Sequence, residues 1–261
     1  MTDCVLSLSY GKDSLACLGA IEQLGWPLNR IITVDIWATD TIPADLPPMV
    51  EFKEIADAII KDRWGITVEH VKAPHTAEQR IYRKRIRGKR VGQMVGWPRI
   101  KGCDIQSSCK REPLAKATKG AISYWGIAAD EQNRIKKHRS KRNVRMPLVK
   151  AGWSEVDCRE WCRGNGLLSP IYTDTKRGGC WFCPQQSIGQ LRILRKMYPE
   201  YWALMMKWDT DSPMKFKVDG HTVHDFDRRF QMEDDGLLDQ DDEAFRWAML
   251  DAELNYRIKG V

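Results

Sequence analysis

Near the start of the chain stands Val5-Leu6-Ser7-Leu8-Ser9-Tyr10-Gly11-Lys12-Asp13-Ser14, an apolar run broken by a small, hydroxyl-bearing turn with one lysine. Val5 to Ser9 reads as a short buried strand. Asp13 to Leu24 (DSLACLGAIEQL) has apolar residues at helical spacing and stops at Gly25 and Pro27, so it reads as a helix. Strand, tight turn and helix make a unit in which backbone N–H groups and the helix dipole face any anion lodged at the turn. Lys12 adds a point charge there. Four residues between Gly and Gly-Lys, which a Walker loop requires, are absent, and an ordinary P-loop is rejected. The bland reading is a glycine turn with a capped helix, Ser9 or Asp13 supplying the cap.

The same alternation continues. Arg30 to Ile36 and Ile66 to Val71 read as strands around a loop with Pro43, Pro47 and Pro48 and a helix near Met49 to Trp64. Ile122 to Ile127 reads as a further strand leading into Ala128-Ala129-Asp130-Glu131. A helix from Ser154 to Cys162 starts at Ser154 with Asp157 three residues on, and from Ile188 the pattern is mainly helical and rich in Trp and Met. This order predicts α/β class with a doubly wound, mainly parallel sheet. The expected organisation is a nucleotide-binding domain over 1–150, a cysteine-rich segment over 151–187 packed on it, and a helical region over 188–261.

With 261 residues, 43% of them hydrophobic, the chain can bury a proper core. No apolar run approaches membrane-spanning length, and Met1-Thr2-Asp3 does not open a signal peptide, so no membrane partner and a cytoplasmic location are expected. The net charge of +7 is uneven. Arg80 to Arg90 and Arg134 to Arg145 each hold seven basic residues and no acid, whereas Glu233 to Glu243 holds seven acids. The basic tracts are candidate surfaces for a polyanion such as tRNA or DNA; the bland alternative for each is a solvated face.

Eight cysteines without an export signal point to reduced thiols. Cys180-Trp181-Phe182-Cys183, preceded by Gly178-Gly179, is a tight chelating turn, and Cys103 and Cys109 can complete a four-thiolate site. A four-iron four-sulfur cluster, structural zinc and a redox dithiol compete there; ligand count does not separate zinc from iron-sulfur, and the dithiol leaves Cys103 and Cys109 unexplained. Cys158 and Cys162, four apart on one helical face, and Cys4 and Cys17, beside the opening loop, read as core. The five histidines show no ligand spacing.

Ser9 to Ser14 resembles the Ser-Gly-Gly-Lys-Asp-Ser loop of the PP-loop ATP pyrophosphatase superfamily, with Tyr10 in place of the first glycine. Adding Cys109-Lys-Arg-Glu-Pro-Leu114, Gly126-Ile-Ala-Ala-Asp130-Glu131 with Arg134, and Arg177-Gly-Gly-Cys180 to Pro184, residues 3 to 187 together resemble the phosphoadenosine phosphosulfate (PAPS) reductase family, particularly its phage and mobile-element branch. The resemblance implies an adenine nucleotide hydrolase-like fold and an ATP site, often with cleavage of ATP to AMP and pyrophosphate to activate an acceptor. Ser9, Tyr10, Gly11, Lys12 and Ser14 would hold phosphates, with Asp13 capping the helix or orienting Mg2+. Asp35 and Asp40, which follow the second strand, read as ribose or metal contacts or else as turn formers, and Gly126, Asp130, Glu131 and Arg134, which follow a later strand, would face the same crevice, Arg134 on phosphate or sulfate, or else only start a helix with favourable first-turn acids. Relatives that pair such a loop with a four-cysteine iron-sulfur site include enzymes that insert sulfur into tRNA or the DNA backbone, which implies a sulfur donor as a partner. The chain departs from assimilatory reductases in having no cysteine after Cys183, where they carry Glu-Cys-Gly. A PAPS or APS reductase, using a thiol reductant protein or Cys158 or Cys162, is one alternative; a non-catalytic nucleotide or nucleic-acid-binding protein is the other.

Overall fold

The computed structural model describes residues 2–98, 102–174, 178–240, 246–248 and 250. Five strands, β1 (Cys4–Ser7), β2 (Arg30–Asp35), β3 (Val68–Lys72), β4 (Ile122–Tyr124) and β5 (Val144–Arg145), form an all-parallel sheet in the order β3-β2-β1-β4-β5. The helices are α1 (Lys12–Leu24), α2 (Pro47–Trp64), α3 (Ala77–Tyr82), α4 (Glu112–Ala117), α5 (Gln132–His138), α6 (Pro147–Ala151), α7 (Glu155–Gly164), α8 (Ile171–Asp174), α9 (Ile188–Met197), α10 (Pro199–Asp211) and α11 (Val223–Asp234). A π-helical turn, Gln106–Arg111, runs directly into α4.

Alternation along β1 explains why both sheet faces are covered. Cys4 and Leu6 point to one side, into a core shared with Leu15, Leu18, Phe52, Cys158 and Leu167, while Val5 points to the other, with Ile32, Ala121 and Leu114. Strands buried on both faces need continuous apolar runs, which β1 and β2 have. Stop signals act as read: Gly25 and Gly65 close α1 and α2 in the left-handed conformation, at φ 61° and 68°. Pro47 and Pro48 lie inside the first turn of α2 rather than before it, because a helix's first N–H groups need no partner within the helix. Ser154 and Asp157 form the reciprocal capping box at α7.

The chain divides into two compact units, 1–80 with 102–181, and 81–101 with 182–261. The first contains the whole sheet and α7; its boundary falls between Trp181 and Phe182 rather than at 187. In the second, Trp97, Trp208, Phe216, Phe226 and Phe230 are all buried, and α9, α10 and α11 pack together. The Trp-rich stretch is therefore core. Glu233, the first acid of the acidic run, is buried and held by Arg192 at 2.6 Å and Arg229 at 2.9 Å, whereas residues 241–243 of that run lie outside the described residues. No helix among the described residues is long and apolar enough to cross a membrane.

Candidate functional site

From β1 the sheet grows one way through β2 and β3 and the other way through β4 and β5. The crevice beyond the carboxyl ends of β1 and β4 is thus the switch point at which open α/β sheets bind ligands. Two loops meet there. Residues 8–11 follow β1, and residues 125–131 follow β4. They touch at Gly126, where a Cβ would lie 2.7 Å from the backbone carbon of Asp13 and from the nitrogen of Ser14.

The β1 loop is braced from within. Ser14 Oγ accepts from the Ser9 N–H and hydroxyl, each at 3.1 Å, and donates to the Gly11 carbonyl at 2.9 Å. Gly11 is the N-cap residue of α1 and no side chain caps the helix, so neither Ser9 nor Asp13 plays the capping part expected of it. First-turn amides without a side-chain cap suit an anion.

Tyr10 is the only non-glycine residue with positive φ (55°) among those described. The left-handed conformation costs a side-chain-bearing residue roughly 1–2 kcal/mol, which is the physical reason glycine fits this position in the loops that this one resembles. Tyr10 offsets the cost by complete burial and by donating its hydroxyl to Asp57 Oδ1 at 2.5 Å. Behind it lies a chain of charges. His70 Nε2 is 2.8 Å from Asp57, His70 Nδ1 is 2.7 Å from Asp35, and Lys53 joins Asp35 at 3.2 Å to Asp45 at 2.7 Å. Burial works against the charge on His70, but hydrogen bonds and attraction from Asp35 and Asp57 outweigh it and raise its pKa. Asp35, expected at ribose or metal, is thus engaged in holding the loop's foundation, and Asp40 is exposed.

Lys12 is gripped on all its polar groups by one stretch of chain. Its N–H donates to the Tyr172 hydroxyl at 3.2 Å, its carbonyl lies 3.2 Å from Cys162 Sγ, and its ammonium is 3.0 Å from Glu155 as well as 2.6 Å from Asp13. Burial opposes the Lys12 charge, but Asp13 and Glu155 more than compensate and raise its pKa. Asp13 is nevertheless raised too: burial dominates over the help from Lys12, and Glu155 and Glu131 repel it. A carboxylate so placed gains from a cation carried in with a ligand.

On the other loop, Asp130 accepts from the Glu155 N–H at 3.1 Å and so positions α7. Glu131 accepts from the Ala128 N–H at 3.0 Å and holds Arg134 at 2.6 Å, with the guanidinium 3.5 Å from the Gly126 carbonyl. Arg134 therefore stands at the crevice, paired with an acid on the same loop.

Cys17, Cys158 and Cys162 are fully buried. Burial pushes Cys158 and Cys162 up to about 12 and Cys17 well above the ordinary thiol range. Their reading as core holds, with the addition that Cys162 touches the Lys12 carbonyl at the start of α1. Of the expected metal ligands, Cys109 is fully buried in the π-helical turn and its thiol pKa is raised by burial, while Cys103 and Cys180 are half-buried in the first unit and Cys183 is half-buried in the second. Among the described residues no three His, Cys, Asp or Glu side chains gather as a metal-ligating group. As donors, four thiolates suit either an iron-sulfur cluster or zinc. Arg177, in the last of the resembling motifs, lies outside the described residues.

Glu155, Tyr172, His70 and Asp57 are site residues that sequence reasoning missed. Only Glu155 carried a local signal, since the Ser154-x-x-Asp157 capping box puts it at the exposed start of a helix. Compared with models of known protein families and with curated protein sequences, the chain matches none.

Proposed function

We infer that the chain binds ATP at the β1–β4 crevice and cleaves it to AMP and pyrophosphate to activate an acceptor. One observation carries this reading: a Ser-Tyr-Gly-Lys-Asp-Ser turn leads into a helix without a side-chain cap at the switch point of an all-parallel sheet. The amides of α1's first turn face the phosphates, and Lys12 transfers its ammonium from Asp13 and Glu155 to phosphate oxygens. Arg134 adds a fork-shaped donor from the opposite loop. Asp13 suits a Mg2+ ion whose other ligands are phosphate oxygens and water, and that ion would neutralise charge on the leaving pyrophosphate. In the reaction an acceptor oxygen bonds the α-phosphorus, the bond from that phosphorus to the α,β-bridging oxygen breaks, and pyrophosphate leaves; any acceptor proton passes to solvent, and AMP stays on the acceptor oxygen until a nucleophile displaces it.

Membership of the PAPS reductase family, a phage origin, a cytoplasmic location and later sulfur transfer to nucleic acid belong to the same proposal and rest on the motif resemblance. So does a cluster or zinc on Cys103, Cys109, Cys180 and Cys183. Reduction of a sulfonucleotide through Cys158 or Cys162 is disfavoured, because both thiols are fully buried and burial works against the thiolate that such chemistry needs. The test is ATP binding by calorimetry together with release of labelled pyrophosphate. Wild type should do both and Lys12→Ala should lose both; no ATP binding by wild type with Mg2+ present overturns the reading.

A further inference from the structure

We propose that the exposed face formed by α5 and the turn after it, with Trp125 and Arg111 beside it, is a docking surface for the phosphodiester backbone of a polynucleotide. The proposal names the class of acceptor for the reaction inferred above and rests on that reading for its role, though not for the binding itself.

Between Arg134 and Arg145 every lysine and arginine is exposed. Among the described residues only Arg134 has an acidic partner; the other six have none. A solvated face normally intersperses both signs, whereas this tract has no acid at all. The cations also converge in space. His138 has its pKa lowered, first by burial and then by Lys141, Lys137, Arg134 and Arg111, so charges from two separate segments crowd one imidazole. Such a concentration of like charge is unfavourable until a polyanion neutralises it.

An aromatic ring stands among these charges. Trp125 is half-buried, with the Lys141 ammonium 4.7 Å over its ring and the His138 ring 5.2 Å away edge-on. Cations that follow a backbone, interleaved with an aromatic face, are the pattern of polynucleotide binding rather than of binding to an acidic protein. Trp125 directly precedes Gly126, and Arg134 reaches the Gly126 carbonyl, so a strand on this face passes beside the crevice. The other basic tract, Arg80 to Arg90, is not gathered on one unit. Arg80 is fastened to Asp104 at 2.7 Å, and Arg85 donates to the Val95 carbonyl at 3.0 Å.

The probes are fluorescent 20-nucleotide single-stranded RNA and DNA and a polyglutamate of similar charge, with anisotropy read across a salt series and ATP left out. Wild type should bind at least one of the oligonucleotides, and at least tenfold more tightly than polyglutamate. Lys137→Gln/Lys141→Gln/Arg142→Gln should weaken oligonucleotide binding at least tenfold and flatten its salt slope by about 2, as loss of three phosphate contacts requires. These positions are exposed, and circular dichroism checks that the variant is folded. Arg87→Gln/Lys89→Gln/Arg90→Gln should bind as wild type does. The proposal is overturned if wild type binds neither oligonucleotide at 50 mM salt, if polyglutamate binds equally well, or if the first triple variant keeps its affinity and slope. Lys12→Ala separates this result from the nucleotide reading: it should retain the oligonucleotide while losing ATP. Oligonucleotide binding by a wild type that does not bind ATP would retire the reaction and leave the surface standing.

Discussion

Replacing Gly126 by alanine tests whether the two loops form one site. The backbone of Gly126 is not in the left-handed region, so alanine adds no conformational strain and the cost is purely steric. Its Cβ would lie 2.7 Å from the Asp13 carbon, 2.7 Å from the Ser14 nitrogen and 2.8 Å from the Asp13 oxygen. Carbon contacts settle at roughly 3.5–4.0 Å, so the loops must part by about 0.7 Å or more. All three atoms belong to the backbone of a helix's first turn and cannot rotate away. Overpacking of this kind costs about 1–3 kcal/mol. The same displacement separates the loop carrying Arg134 from the amides of α1, and misplacement on the scale of 1 Å reduces function by about a hundredfold. Urea denaturation should therefore show a lowered midpoint at unchanged slope, and calorimetry should show ATP affinity falling at least tenfold. Gly164→Ala is the control: nothing lies within 4 Å of its Cβ position, it ends α7, and the change should be neutral or mildly stabilising. A Gly126→Ala protein with wild-type stability and affinity would refute the claim that these loops pack backbone to backbone.

Four further outcomes are expected. Tyr10→Phe removes the hydroxyl held by Asp57 and should lose about 1–3 kcal/mol of stability by urea titration, with loop strain retained. His70 supplies a pH signature: its folded-state pKa is raised, so its contribution is complete below the unfolded value of about 6.5 and fades as pH rises through the higher folded value. Wild type should lose stability over that interval relative to His70→Gln, and parallel profiles would discount the network. Tyr172→Phe frees the Lys12 N–H and should tighten ATP binding by about two- to tenfold, the worth of one neutral hydrogen bond, whereas weaker binding would mean that the hydroxyl itself contacts nucleotide. Brief iodoacetamide treatment of native protein, read by mass spectrometry, should spare Cys17, Cys158 and Cys162 and label all three after unfolding; native labelling of Cys162 would contradict its burial against Lys12.

Much of the sheet was legible because its signals are local. The apolar run before Ser9, the Gly25 and Gly65 stops, and the capping box at Ser154 each depend on residues within a turn or two. The strand at Ile122 was found but ends at Tyr124, where Trp125 makes one last bond to Arg145 and the chain turns away at Gly126. β5, two residues long, has no pattern of its own; it exists because Ser123 and Tyr124 offer it an edge. For Cys103 and Cys109, read as candidate ligands, the spacing carried no sign that Cys109 is buried in a π-helical turn, since burial depends on the residues packed over it.

The sequence by itself determined the α/β class, the first helix to within one residue of its start and the glycine-bearing turn before it, since strand alternation, helical periodicity and glycine placement act through neighbouring residues. Tertiary structure alone decided which distant groups complete that turn. It brought Glu155, Cys162 and Tyr172 onto Lys12 and set His70 and Asp57 behind Tyr10. It also left the cations from Lys136 to Arg142 exposed, with Lys141 over the Trp125 ring, and fastened Arg80 to Asp104 and Arg85 to the Val95 carbonyl. The encounters at the turn join groups from 47 residues apart, for Tyr10 and Asp57, to 160 apart, for Lys12 and Tyr172, where burial and charge pairing set their roles and no short-range pattern records the meeting.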